Sequence, residues 1–324
     1  MSQYHNSLNN LEKIYQNHNG SDISLKQLIN LSHFAKILNI KIHKQYFNNL
    51  NGAHITNLYG RGMDYSESRI YQSGDDVRHI DWTVSARSNQ LHTKIYHKEV
   101  ENPVYVILDL LPSMYFGTKN AFKSVIASQM ASLIAWNTIF KNDKFGGVIF
   151  SDQKKYIHKA QNNSKSILKF LTELSTFNEN YITNTKPSLD NGINNNLYNI
   201  LKNLKQILHS GSTVFIISDF YNLKHDQNLA TLLYSLKKYN KIITIKVSDY
   251  IEKTKLPKGT YPICDKDNNF SNISINSKKD SEQIYNYFQD IKNNYTNLTN
   301  KLNIISSEVF NDENWIYNFM GLLK

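Results

Sequence analysis

Two aspartates, each closing an apolar run, are the residues of this chain best suited by type to do chemistry. Asp109 ends VYVILD, Asp219 follows TVFIIS, and Ser113 lies four residues after Asp109 in DLLPSM. Two carboxylates and a hydroxyl on neighbouring loops make a hard-oxygen site suited to Mg²⁺ or Mn²⁺, which keeps its remaining positions for water or a partner's carboxylate. The same residues have a plainer reading, because strand-end aspartates often cap the next helix or pin a loop. Type and spacing leave both readings open.

Arginine gives the second signal. The four arginines, Arg61, Arg69, Arg78 and Arg87, fall within GRGMDYSESRIYQSGDDVRHIDWTVSAR, and every other basic side chain apart from histidine is lysine. Arginine has a planar five-donor fork that grips carboxylates and carbonyls bidentately and never loses its proton. The same stretch carries Tyr71, Gly74, Asp75, Asp76, Asp81 and Trp82. The expectation is a set of Arg–Asp pairs that, with Trp82, fixes a small β-rich subdomain. A partner-binding face is the sharper alternative.

Other chemistries fit worse. GTKNAFKS has a phosphate-loop outline, but Phe122 stands at the second glycine position, so the backbone could not curl around a phosphate. His92 and His97 sit in a β-prone piece at a spacing that sends them to opposite faces. A phosphohydrolase with Asp109 as nucleophile is the enzyme alternative, yet such enzymes want a second carboxylate two residues on, where Leu111 stands. No lysine stands out as a phosphate clamp, and no G-x-S-x-G turn is present. The chain is therefore read as a non-enzyme.

The elements that position these residues follow from periodicity. Ser24 and Gln27 have capping-box spacing, and Leu28, Leu31, Ala35 and Leu38 then line a helix face. From 52 to about 100, glycine turns and short β-prone pieces dominate. After Pro103 the pattern changes to continuous apolar strands: VYVILD, GGVIFS, TVFIISDF and IITIKVSD. Between them run helical patterns over 118–140, 164–174, 196–208 and 226–238, followed by a weak hairpin after LPKGTY and a helix over 280–302. A short strand at 303–307 and an apolar terminal helix (Trp315, Ile316, Phe319, Leu322) close the chain. This alternation predicts an α/β fold: a doubly wound, mostly parallel, Rossmann-like sheet with helices on both faces. The expected divisions are a frayed segment at 1–22, an N-terminal helix with the arginine-containing subdomain at 23–101, and the sheet domain at 102–324.

Composition limits the partners. Formal charge is +10 over 324 residues, but within 61–101 six bases face seven acids, so the arginine stretch is a neutralised network. A nucleic-acid footprint concentrates its bases on one element; binding through diffuse lysines is kept only as a weak alternative. Cys264 is the sole cysteine, which excludes an internal disulfide. No signal-peptide core and no apolar run long enough to span a bilayer is present, so a soluble, cytoplasmic protein is expected.

The run GRGMDYSESRIYQSGDDVRHIDWTVSAR, continued by Glu99 and DLLPSMYFG, closely resembles the proteins known as domain of unknown function 58. ISDF, VSDYIEKTKLPKGTYPICD and the closing helices resemble that family as well, so the likeness covers roughly 52–324. It implies a sheet similar to the von Willebrand factor A domain, with a metal-ion-dependent adhesion site. Asp109 and Ser113 match that site's first-loop ligands, and Asp219 matches its later acidic position. Leu111 replaces the first serine of D-x-S-x-S, and Asn195 in GINNNL stands where a threonine is expected. The family resemblance further implies an adaptor that works with a MoxR-type AAA+ ATPase or its client in protein-complex assembly, maturation or stress response.

Overall fold

The structure is a computed structural model that describes residues 20–37, 63–98, 103–183, 196–223, 228–264, 270–312 and 315–321. Arg61, Leu38, Asn195 and the expected frayed segment as far as residue 19 lie outside the described residues. Two compact units divide the chain: Met1–His43 together with Asn102–Lys324, and Lys44–Glu101. The expected segment 23–101 grouped the N-terminal helix with the arginine stretch, whereas in the compact units that helix goes with the sheet. The reason lies in the helix contacts described below.

In the larger unit, five strands pair in parallel, four of them buried runs. The six-stranded sheet has the order β10-β7-β6-β3-β4-β5. Its strands are β3 (Val104–Asp109), β4 (Phe145–Phe150), β5 (Lys155–Gln161), β6 (Thr213–Ser218), β7 (Lys241–Ser248) and β10 (Ile305–Phe310). All neighbours run parallel except β5, which pairs antiparallel with β4. The mixed α/β, mostly parallel sheet expected from the sequence is thus what forms. Strand β5 was not foreseen. KYIHKAQ mixes exposed lysines with one buried position, His158, as an edge strand with a charge-protected outer side does.

Alternate residues of β3 feed two cores. Val104, Val106 and Leu108 face one side, together with helices α4 (Lys123–Phe140), α5 (Ser164–Thr183) and α9 (Trp315–Gly321). Tyr105 and Ile107 face the other, with α6 (Leu197–Leu204), α7 (Leu229–Lys237) and α8 (Lys278–Lys301). Helix α4 is buried almost all round, which an isolated amphipathic helix would not be. Its outer side is covered by α1 (Leu25–Asn30) and α2 (Ser32–Ile37). Ser132 Oγ and Trp136 Nε1 both donate to the Leu28 carbonyl (2.8 and 3.2 Å), and Asn137 Nδ2 donates to the Ala35 carbonyl (3.1 Å). These bonds occupy carbonyls at the ends of short helices and tie the N-terminal segment to the sheet unit. The expected capping box at Ser24 and Gln27 is present on α1.

Several helix and strand limits moved. Helix α4 begins at Lys123, not near 118, because Thr118 is committed elsewhere: its amide and hydroxyl both donate to Asp249, the amide at 2.7 Å. Helix α5 runs on to Thr183 because Leu174 and Phe177 keep its buried face going. Strand β10 starts at Ile305 and extends to Phe310, pairing with β7 from Ile243 to Ser248.

The smaller unit holds an antiparallel pair, β1 (Met63–Ile70) and β2 (His92–Lys98), with a 3₁₀ turn at Val77–His79 and helix α3 (Trp82–Ser88) between them. The remaining pair, β8 (Gly259–Cys264) and β9 (Phe270–Ile275), forms the hairpin expected after LPKGTY. No helix among the described residues is long and apolar enough to cross a membrane.

Candidate functional site

Strands β3 and β6 are neighbours, and the chain leaves them in opposite directions, β3 towards β4 and β5, β6 towards β7 and β10. That is a topological switch point, where open α/β sheets hold their ligands beyond the carboxyl ends of the strands. Asp109 ends β3 and Asp219 follows β6, so both expected carboxylates arrive at this point, and both are buried. Asp109 accepts from the Leu111 amide (2.9 Å) and from Ser218 Oγ (2.7 Å). Asp219 accepts from the Tyr221 amide (3.1 Å), and the Ser113 hydroxyl also hydrogen-bonds to it. The three residues named from the sequence are therefore brought together.

A fourth group, passed over in the sequence, completes the cluster. Lys123 opens α4 and is only 2% exposed; its Nζ lies 3.1 Å from Asp219 and 3.3 Å from Glu252. Glu252 turns its other oxygen to Lys246 (3.2 Å), a second fully buried lysine. Lys246 in turn meets Glu308 (3.1 Å) and donates to Ser248, and Lys292 closes the row against Glu308 at 2.7 Å. Charges thus alternate along Asp219–Lys123–Glu252–Lys246–Glu308–Lys292, across the carboxyl ends of the strands. Beside the row, Asp249 accepts from Thr118, from the Ile251 amide (2.8 Å) and from Asn311 Nδ2 (2.5 Å). A signal existed in the sequence: Lys246 interrupts an otherwise apolar run, and a buried lysine needs a carboxylate. Lys123 was hidden inside GTKNAFKS, which had been judged only as a phosphate loop.

The two aspartates are electrostatically unlike. Burial, and then the charge of Asp219, push the Asp109 carboxyl up to about 7. For Asp219 burial acts in the same direction, but the Lys123 ammonium and the Ser113 hydroxyl outweigh it and hold the group below its ordinary value. Lys123 is disfavoured by burial yet raised on balance by Asp219 and Glu252.

This donor set fits a divalent ion poorly. Leu111 brings no oxygen, each oxygen of Asp109 and Asp219 already accepts a hydrogen bond, and an ammonium lies against Asp219. Mg²⁺ demands near-octahedral oxygen ligation at about 2.1 Å. Lys123 would also supply the lysine that the phosphohydrolase alternative lacked. It is enclosed and held by two carboxylates, however, and would have to leave them to meet a phosphate.

The arginine stretch divides its labour. Arg69 pairs with Asp75 at 2.7 Å, and Asp75 also accepts from the Gln72 amide (2.9 Å). That amide, followed by Arg69, lowers the Asp75 carboxyl. Gly74 has φ 108°, a conformation in the left-handed region that favours glycine. Asp81 accepts from Ser68 Oγ (2.8 Å) and caps α3 at the Val84 amide (3.2 Å). The Tyr71 amide donates to the Leu91 carbonyl at 2.8 Å. These residues hold the hairpin and its turn together. The role expected of Trp82 finds no support, since its side chain is 68% exposed. Arg78 is likewise outward, its side chain 85% exposed, with Asp76 no nearer than 3.5 Å. Arg87 is exposed too. Ile80 and Asp81 take the buried positions at the start of α3, and Trp82 follows them at an exposed one.

The family model described as "Protein of unknown function DUF58" matches residues 67–292. Uncharacterized proteins of Mycobacterium bovis and Mycobacterium tuberculosis are 33% identical to this chain over 100 residues. That match covers 31% of this chain and 32% of each relative, so it spans about a third of the length of these curated relatives.

Proposed function

We propose, because the chain belongs to the DUF58 family, that it is a non-enzymatic protein-interaction module, an adaptor working beside a MoxR-type AAA+ ATPase in the assembly or maturation of protein complexes. The observation that carries the reading is the outward set in the arginine stretch. Trp82, Val77 and Arg78 are all strongly exposed, in the part of the sequence richest in chemical groups. Tryptophan and arginine are the residue types that dominate binding energy at protein interfaces, and a lone folded unit gains nothing by exposing them. The ATPase as partner rests on the family resemblance. So does the von Willebrand factor A-like reading of the sheet, which the placement of Asp109, Ser113 and Asp219 at the switch point supports.

The test is affinity purification of the tagged full chain from nuclease-treated native extract, beside Trp82→Ala and Arg78→Lys. Wild type is expected to retain an AAA+ ATPase. Trp82→Ala should lose it by roughly 30-fold, the equivalent of about 2 kcal/mol at an interface hot spot, without a fall in Tm. Arg78→Lys keeps the charge but loses the fork, and should weaken capture in the same direction. Absence of an ATPase in the wild-type sample, or equal yields from all three proteins, would refute the proposal.

A further inference from the structure

We propose that the ammonium of Lys123 is the resident cation of the strand-end site, so that this edge of the sheet is neutralised from within the chain and takes no divalent metal. The inference stands apart from the adaptor reading, which concerns the other unit of the chain. Its first ground is position. Lys123 Nζ lies between Asp219 (3.1 Å) and Glu252 (3.3 Å), with the Tyr221 ring 6.0 Å away, and both carboxylates are buried as well. A buried ammonium is tolerated only where carboxylates compensate it, and buried carboxylates likewise need a cation.

The second ground is occupancy. Asp109 spends one oxygen on the Leu111 amide and the other on Ser218 Oγ, while Asp219 spends one on the Tyr221 amide and the other on Lys123. A metal ion at this place would have to share these oxygens with their present donors and sit against a fixed positive charge. The third ground is continuity. Glu252 is shared between Lys123 and Lys246, and Lys246 passes on to Glu308, so removing the lysine would unbalance a whole row rather than one pair.

The experiment uses the full chain, stripped with EDTA and then given MgCl₂ or MnCl₂ alone, for wild type and Lys123→Met. Tm and Mn²⁺ retained after equilibrium dialysis are the readouts. Wild type should melt within about 1 °C of its metal-free value and retain no stoichiometric Mn²⁺. Lys123→Met, which leaves Asp109, Asp219 and Glu252 without the ammonium, should melt lower in EDTA and recover by at least about 3 °C in Mn²⁺. A wild-type chain that holds one Mn²⁺ and gains several degrees overturns the proposal. So does a Lys123→Met chain that melts like wild type in EDTA. If Lys123→Met does not fold, the wild-type arm decides alone.

Discussion

Asp109 and Asp219 are equally buried at the ends of adjacent strands, yet they behave oppositely because only Asp219 has a lysine beside it. Burial, and then the neighbouring Asp219 charge, raise the Asp109 carboxyl to about 7, and its two neutral donors offset this only in part. A carboxyl raised in the folded state favours folding most when it is protonated. Its contribution is complete below the unfolded value near 3.8 and is lost as pH rises through the folded value. Over that window the folded chain holds a proton that the unfolded chain has released, so stability should fall with pH by up to about 1.4 kcal/mol per unit. Asp109→Asn keeps the shape and removes the titration. The stability of wild type relative to Asp109→Asn, from urea unfolding at pH 4.5 to 8.5, should decline and then level off above pH 8. A difference that does not vary with pH would show that Asp109 is not raised. Asp219, lowered on balance by Lys123 and Ser113 against its burial, has the reverse sign, and its contribution is lost only in acid. Neither assignment could be made from the sequence. Asp109 and Asp219 were legible as strand-end carboxylates from their apolar runs alone, but their difference depends on Lys123, 96 positions from Asp219 in the chain.

At the scale of elements, the two glycines that follow Phe145 in β4 show how closely neighbouring side chains approach this strand. A Cβ on Gly147 would lie 2.5 Å from the Phe170 ring of α5, and one on Gly146 would lie 2.5 Å from the Tyr105 ring of β3. Phe170 is fully buried and packed edge-on to Phe145, with ring centroids 5.0 Å apart, so it has little room to withdraw. Gly147→Ala should therefore destabilise the protein by about 1–3 kcal/mol, although alanine is the better strand former. Adding Phe170→Leu should restore part of that loss, and a double-mutant cycle by urea denaturation would measure the coupling. Additive effects of the two substitutions would show that the contact is not limiting. Continuous apolar runs made β3, β6 and β7 readable, because a strand buried on both faces needs no alternation. Helix α4 was readable for its length but not for its start, since nothing local reveals that Thr118 is held by Asp249, 131 positions away. Strand β5 escaped notice because an edge strand with exposed lysines carries almost no apolar signal. Trp82 was misjudged for a related reason: sequence reports the type of a residue, while its outward direction comes from the cap that Asp81 places on α3.

Across the whole molecule, the charge of +10 is large enough to suggest a polyanion as partner, and the ion pairs made by several lysines argue for weak binding only. Lys123 and Lys246 are enclosed with carboxylates at 3.1–3.3 Å and offer nothing to a ligand. At the surface, Lys253 pairs with Asp312 (3.1 Å), Lys255 with Glu282 (2.7 Å) and Lys292 with Glu308 (2.7 Å). A nucleic acid gains affinity from bases aligned along its backbone, each releasing a counterion, whereas a base already paired with an acid releases little. The chain should therefore bind a fluorescent DNA or RNA duplex no tighter than about 10 μM at 0.15 M salt, within the range of non-specific association. The slope of log K against log salt should be shallower than about −3, as for contact with only a few phosphates. Anisotropy titrations over a salt series measure both quantities. A submicromolar Kd with a slope near −6 would require a contiguous basic track of about seven phosphate contacts, and would transfer the case for function from the exposed Trp82 and Arg78 to the lysine surface. Weak, shallow binding would leave the proposal built on the exposed Trp82 and Arg78 standing.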